Sequence, residues 1–272
     1  MPSVSQPNAA HYNTLLAPAV DFTTLPSVID FINSKQREID HSNTPIDEAC
    51  ERRVLPGMRV TYFEAEETLI LKLSNRPHET VAEHLNLKIA FACQALGITP
   101  MMLSYTGRGR QQLAATGVLK EPDKSYLPGT RGGHDFPSFV VEVGVSEPIA
   151  QLRSDACLWL ECTDGWTRLV VLVKLRHADR AMRIERWIGA RSHPTGSQGQ
   201  DGVYRAEEMG KAITIGFADI NSITVENGPL GLPIALILDN PMSLLPSMDW
   251  TTVVCISDQE LCELAREVSR ML

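Results

Sequence analysis

The sequence has no run of about 18 or more apolar residues, which argues against a membrane-spanning helix. Its first residues, MPSVSQPNAAHYNTLLAPAV, lack the basic start and continuous apolar core of a signal peptide. Six cysteines (Cys50, Cys93, Cys157, Cys162, Cys255, Cys262) form no CxxC pair and no ligand spacing with histidine. That argues against a zinc site and for reduced thiols, hence an intracellular protein, cytoplasmic or nuclear. A nucleophile elbow (GxSxG), a GxGxxG after a strand and a P-loop lysine-serine are all missing, and with them the usual marks of serine hydrolases, dinucleotide binders and P-loop NTPases.

What is present is the composition of an ordinary globular chain, 43% hydrophobic and 21% charged over 272 residues. The net charge of −8 argues against a general nucleic-acid binder, but the charge is uneven. Both ends are acidic, whereas residues 168–191, RLVVLVKLRHADRAMRIERWIGAR, hold seven basic side chains against two acidic ones. Such a stripe can track a phosphate backbone, or it can be the solvated face of a strand pair. The acidic ends suit a protein partner or a self-assembly contact such as a homodimer.

Residues 1–45 read as a lead-in rich in Ser, Pro and Asn, with a short helix at 26–40. RVTYFE and TLILKL, around the turn EAEE, read as a hairpin. RPHETVAEHLNLKIAFACQALG (76–97) is the best helix: Val81, Ala82, Leu85, Ile89 and Leu96 share one face and Gly97 ends it. Strands are expected at 98–105, at PSFVVEVGV (137–145), at 167–177 and at 182–189, with a helix at 148–165. TGRGRQQLAATG reads as a polar loop and residues 192–202 as another. Short strands at 212–217, 222–225 and 233–238 follow. Ser257 with Glu260 three residues on forms a capping box for a closing helix. The expected fold class is α/β, a central mixed sheet flanked by helices in one domain over 46–272, with a core at 54–190 and an extension at 203–272.

The chemistry concentrates in two carboxylates. Glu142 interrupts an apolar run, and Asp123 follows a proline in KEPDKSYLP. An uncompensated buried charge costs several kcal/mol. Two readings stay open: Glu142 lies on the exposed face of an edge strand, or it shares a cation with Asp123. Two carboxylates with a backbone carbonyl form a hard-oxygen site suited to Mg²⁺ or Mn²⁺. A shared ion requires the carboxylates to lie within about 8 Å of each other.

From about residue 54 to 190 the chain resembles the PD-(D/E)XK nuclease superfamily, within it the branch of putative restriction endonucleases and their fungal relatives. The resemblance runs through LPGMRVTYFEAEETLIL, RPHETVAEHLNLKIAFACQAL, EPDKSY, FPSFVVEVGVSEP and DACLWLECTDGWTRLVVLVKL, in that order. It implies a restriction-endonuclease-like fold and a metal-dependent nuclease acting on nucleic acid, DNA above all. Asp123, Glu142 and the Val143 carbonyl would hold Mg²⁺ or Mn²⁺, and Glu79 on the first helix would be a further acid, with His78 as its substitute. The family lysine, two residues after the second acid, is Gly144 here. Lys174, Arg153 and Lys124 are the candidates to replace it, with Lys124, Arg153 and Arg176 as phosphate contacts and Asp155 as a partner for Arg153. Either the lysine has migrated or the site has lost catalytic power. In the second case the fold would serve as a protein-interaction module.

Overall fold

The two β-branched runs around the acidic turn do pair. In the computed structural model β1 (Met58–Phe63) and β2 (Thr68–Leu73) are antiparallel, with Val60 opposite Leu71. The structure describes residues 58–65, 68–107, 109–113, 117–192, 203–241, 245 and 248–272. The expected lead-in at 1–45 and the loop at 193–202 lie outside the described residues. None of the described helices is long and apolar enough to cross a membrane.

Helix α1 (Arg76–Ala95) starts where Asn75 accepts a hydrogen bond from the His78 backbone N–H. It ends before Gly97, whose φ of 81° suits glycine. Three short strands follow, β3 (Leu103–Tyr105), β4 (Gln111–Leu113) and β5 (Val118–Lys120). The strand expected at 98–105 is thus confined to its last three residues, and the segment read as a polar loop contains β4. Then come β6 (Lys124–Pro128), β7 (Phe139–Gly144), α2 (Ile149–Glu161), β8 (Leu169–Arg176) and β9 (Ala181–Ser192).

The extension adds β10 (Val203–Glu208), β11 (Ile213–Gly216), β12 (Thr224–Glu226), β13 (Leu230–Pro233), α3 (Ile234–Ile237), β14 (Val253–Ile256) and α4 (Asp258–Ser269). The stretch expected as a strand at 233–238 is mainly the short helix α3. An apolar run of that length carries no period that separates the two states. The capping box of Ser257 and Glu260 starts α4 as expected.

The strands form a mixed α/β arrangement. The large sheet runs β12-β11-β9-β8-β7-β6-β3, with β10 also paired to β9. β7 and β8 are parallel and joined by α2, while β6 and β3 are antiparallel to their neighbours. A second, four-stranded sheet has the order β2-β1-β5-β4. Because β7 is internal, with layers on both faces, all six of its residues are buried. Phe139, Val141 and Val143 join the core under α1, against Val81, Leu85 and Ile89. Val140 points the other way, to Leu152, Ala156 and Trp159 of α2 and to Phe63 of β1. Glu142 shares the parity of Val140, so it enters this second core beneath the small sheet. The edge-strand reading of Glu142 is therefore overturned.

The same packing explains Gly144. A Cβ built there would lie 2.8 Å from Leu152 Cδ1, in the fully buried interface with α2. A lysine at this position has no room. Gly144→Ala should lower the stability to urea by about 1–3 kcal/mol through overpacking. An unchanged denaturation midpoint would show that Leu152 yields at no cost.

Candidate functional site

Strand register brings the two acids level. Lys124 pairs with Val141 across β6 and β7, so Asp123, one step earlier, stands beside Glu142. Asp123 Oδ2 accepts a hydrogen bond from the Val143 backbone N–H at 2.7 Å. The small sheet then adds the cations. Lys72 of β2 donates to Asp123 Oδ2 at 2.8 Å and to the Val143 carbonyl, and its Nζ lies 4.0 Å from Glu142 Oε2. The sum of the two carboxylate distances, about 7 Å, is the largest separation those two oxygens can have, inside the limit for a shared cation.

The remaining members close the cluster. Arg59 of β1 sets Nε 3.0 Å from Asp123 Oδ1 and donates to Glu79 Oε1 at 3.0 Å. His78 Nε2 is 3.1 Å from Asp123 Oδ2. Lys120, at the end of β5, donates to Asp155 Oδ1 at 2.6 Å and lies 3.5 Å from Glu142 Oε1. The indole N–H of Trp159 donates to Glu142 Oε1 at 2.8 Å, and Glu147 Oε1 lies 3.8 Å from Lys72. Asp123 is fully buried and Glu142 is 1% exposed.

These surroundings split the two acids. Burial pushes both carboxyls up. At Glu142 it prevails, against Lys120 and Lys72 and with the help of Asp123 and Asp155, and lifts the group to about 7. At Asp123 burial is overridden by Lys72, His78 and Arg59, which hold it well below the usual carboxylate range. Lys72 stays protonated, because Asp123, Glu147 and Glu142 together outweigh its burial. His78 is likewise raised despite burial, by its contact with Asp123.

Two carboxylates and a main-chain carbonyl around one cationic atom are the donor set that suits a hard divalent ion. Here the cationic atom is Lys72 Nζ. Among the described residues, Gln151 Oε1 is a buried acceptor without a hydrogen-bond donor, and Asp123 Oδ1 has only the ion-pair contact with Arg59. Among the described residues no group of three His, Cys, Asp or Glu side chains is arranged to hold a metal. The cleft lined by Arg59, Lys72, Lys120, Glu142, Gln151 and Asp155 has about 10 Å³ of free volume, room for roughly one water. A larger cavity, about 410 Å³ between α1 and β3, is lined by uncharged residues such as Asn86, Phe91, Tyr105 and Tyr126. It holds no acid or base, so size and chemistry part company.

Several expected site residues lie elsewhere. Lys124 is buried against Glu83 of α1, on the opposite face of β6 from Asp123. Arg153 forms a double hydrogen bond with Glu185, at 3.0 and 2.7 Å, and Asp155 pairs with Lys120 instead. Lys174 donates to the Val145 carbonyl at 2.5 Å, near Glu147 but outside the contacts of Asp123 and Glu142. Arg176 pairs with Asp179 on the surface, and Glu79, one-third exposed, reaches Arg59 on the rim. The basic stripe is largely engaged internally, since Arg168 bonds Asp239 and the Leu236 carbonyl, Arg183 bonds Glu185 and Arg186 bonds the Gly231 carbonyl. Of the tryptophans, Trp159 is core and Trp187 donates to Glu185, while Trp166 is exposed under Arg131. Among the free cysteines, Cys93 and Cys162 are buried and Cys255 is exposed.

Arg59, Lys72 and Lys120 were not anticipated. The signal was available, because a lysine within TLILKL poses the same question as Glu142 within FVVEVG. No family model matches the chain, and no curated protein matches it.

The raised Glu142 and His78 have a common consequence. Between about pH 4.5 and 7 the unfolded chain releases the Glu142 proton while the folded one keeps it, so stability falls as pH rises. His78 acts in the same direction above 6.5, its stabilisation being lost as pH rises through its folded pKa. Urea denaturation of the wild type should therefore give a lower midpoint at pH 8 than at pH 5. Glu142→Gln should remove up to about 1.4 kcal/mol per pH unit of that slope between pH 5 and 7. Equal slopes in the two proteins would mean that Glu142 ionises normally.

Proposed function

We propose that the protein is a metal-dependent phosphodiesterase, a nuclease acting on nucleic acid and on DNA in particular, built on a restriction-endonuclease-like core. The observation that carries the reading is the convergence of Asp123, Glu142 and the Val143 carbonyl on one cationic atom. The path of the chain supports it. Leaving aside β4 and β5, which belong to the small sheet, the chain runs through α1, β3, β6, β7, α2 and β8, with one acid just before β6 and the other within β7. The lysine missing at Gly144 is then supplied from the small sheet, which is migration rather than loss.

Mg²⁺ or Mn²⁺ held by Asp123, Glu142 and the Val143 carbonyl would supply an activated water and charge stabilisation at a phosphate oxygen. The chain's own groups do the rest. Glu142, held on the α2 side of β7 by the Trp159 indole N–H, is oriented towards that ion. Lys120 lines the cleft 3.5 Å from Glu142 and keeps its positive charge beside that carboxylate and Asp155. Arg59 and His78 keep Asp123 ionised and fixed.

A second reading, a metal-free interaction protein, is favoured by one specific balance. Arg59, Lys72 and Lys120 already match the charges of Asp123, Glu142 and Asp155 within the cluster. Mn²⁺ titration by calorimetry separates the two. Under the nuclease reading the wild type binds saturably, Asp123→Ala and Glu142→Ala do not, and cleavage of single- or double-stranded DNA disappears in both variants. A flat titration with a folded wild type would favour the interaction protein.

A further inference from the structure

We propose that the Lys72 ammonium is the resident cation of the Asp123–Glu142 site, and that a divalent ion enters only by displacing it. This inference rests on the metal site described above. Lys72 Nζ hydrogen-bonds two of the three groups that a metal would use, Asp123 at 2.8 Å and the Val143 carbonyl, and lies 4.0 Å from the third, Glu142. An ammonium offers one unit of charge and three N–H donors to these acceptors, whereas a divalent ion takes their lone pairs directly at about 2.1 Å. The two cannot occupy the same point.

Space and charge both require exchange rather than addition. The free volume of about 10 Å³ accommodates roughly one water, too little for a divalent ion with several of its own waters beside Lys72. Adding two positive charges beside Arg59, Lys72 and Lys120 would also be costly, unless one of these cations moves aside. Glu147 can receive Lys72. Its Oε1 lies 3.8 Å from Lys72 Nζ and its side chain is 14% exposed. The flexible stem of Lys72 allows its ammonium to move towards Glu147 while β2 stays paired. Arg59 and Lys120 cannot serve as the leaving cation so easily, because each is 3% exposed and enclosed by carboxylates. Lys72 therefore acts as an internal competitor that keeps the site closed until metal binds.

The test compares Mn²⁺ binding to wild type, Lys72→Met and Lys72→Met/Asp123→Ala by calorimetry. A second measurement, which needs only the wild type, is reductive methylation of Lys72 with and without Mn²⁺, read by mass spectrometry. The expected result is at least tenfold tighter Mn²⁺ binding in Lys72→Met, lost again in the double variant, and several-fold faster Lys72 methylation when Mn²⁺ is present. Equal affinity in wild type and Lys72→Met, with unchanged methylation of Lys72, would overturn the displacement while leaving the metal site intact. Absence of Mn²⁺ binding in both would overturn the metal site itself, and the displacement with it. Should Lys72→Met fail to fold, the methylation rates decide alone: a rise with Mn²⁺ supports displacement and no change rejects it.

Discussion

The charge of Asp123 is the constraint on which the centre of this protein depends. A fully buried carboxylate must be matched or it will not ionise, and here Lys72, Arg59 and His78 match it from three elements. Those three contacts fix where the small sheet and α1 sit against β6 and β7. Removing one partner would leave an excess charge in a dry interior, so the cluster tolerates its own completeness better than any part of it. It is weak evidence for stability as such, since apolar packing of equal volume would hold the layers as well. Its value is geometric, because it points a carboxylate, a carbonyl and an ammonium at one place.

Within this frame the two acids behave oppositely although they are neighbours. Asp123 receives the Val143 backbone N–H and three cations, and its proton is lost. Glu142 receives an indole N–H and lies within 3.5–4.0 Å of two lysines, too loosely held to offset complete burial. Environments that push paired carboxyls apart are a recurring basis for dividing acid and base roles. The division follows from their neighbours, because Asp123 takes the Val143 N–H and the close cations while Glu142 takes the indole. Glu142 projects to the α2 side of β7, where Trp159 and the small sheet shield it.

Most of the fold was legible where a period was long enough to read. Helix α1 declared itself through Val81, Leu85 and Ile89, and β7 and β8 through β-branched apolar runs each broken by a single charge, Glu142 and Lys174. The three-residue strands β4 and β5 left no period, and α3 was hidden in an apolar run too short to separate helix from strand. The acids were legible for a physical reason, since a charge inside an apolar strand demands a partner. The partners were harder to find. Lys124 and Arg153 stand near the acids in sequence but turn to other partners, whereas Lys72 arrives from β2 through sheet pairing that sequence proximity does not encode.

The span of chain between partners has its own meaning for how the molecule comes into being. Lys72 lies 51 residues before Asp123 and 71 before Val143. The hairpin that carries Lys72 is local and can close early, yet the face it presents has no counterpart until β6, β7 and α2 exist. Contacts this distant in sequence are the ones that slow folding, because loop closure precedes any gain from them. As the chain emerges, β1 and β2 form a ribbon with Arg59 and Lys72 still hydrated. Burial of Arg59 and Lys72 therefore waits on Asp123 and Glu142, so closing this interface and assembling the site are one event.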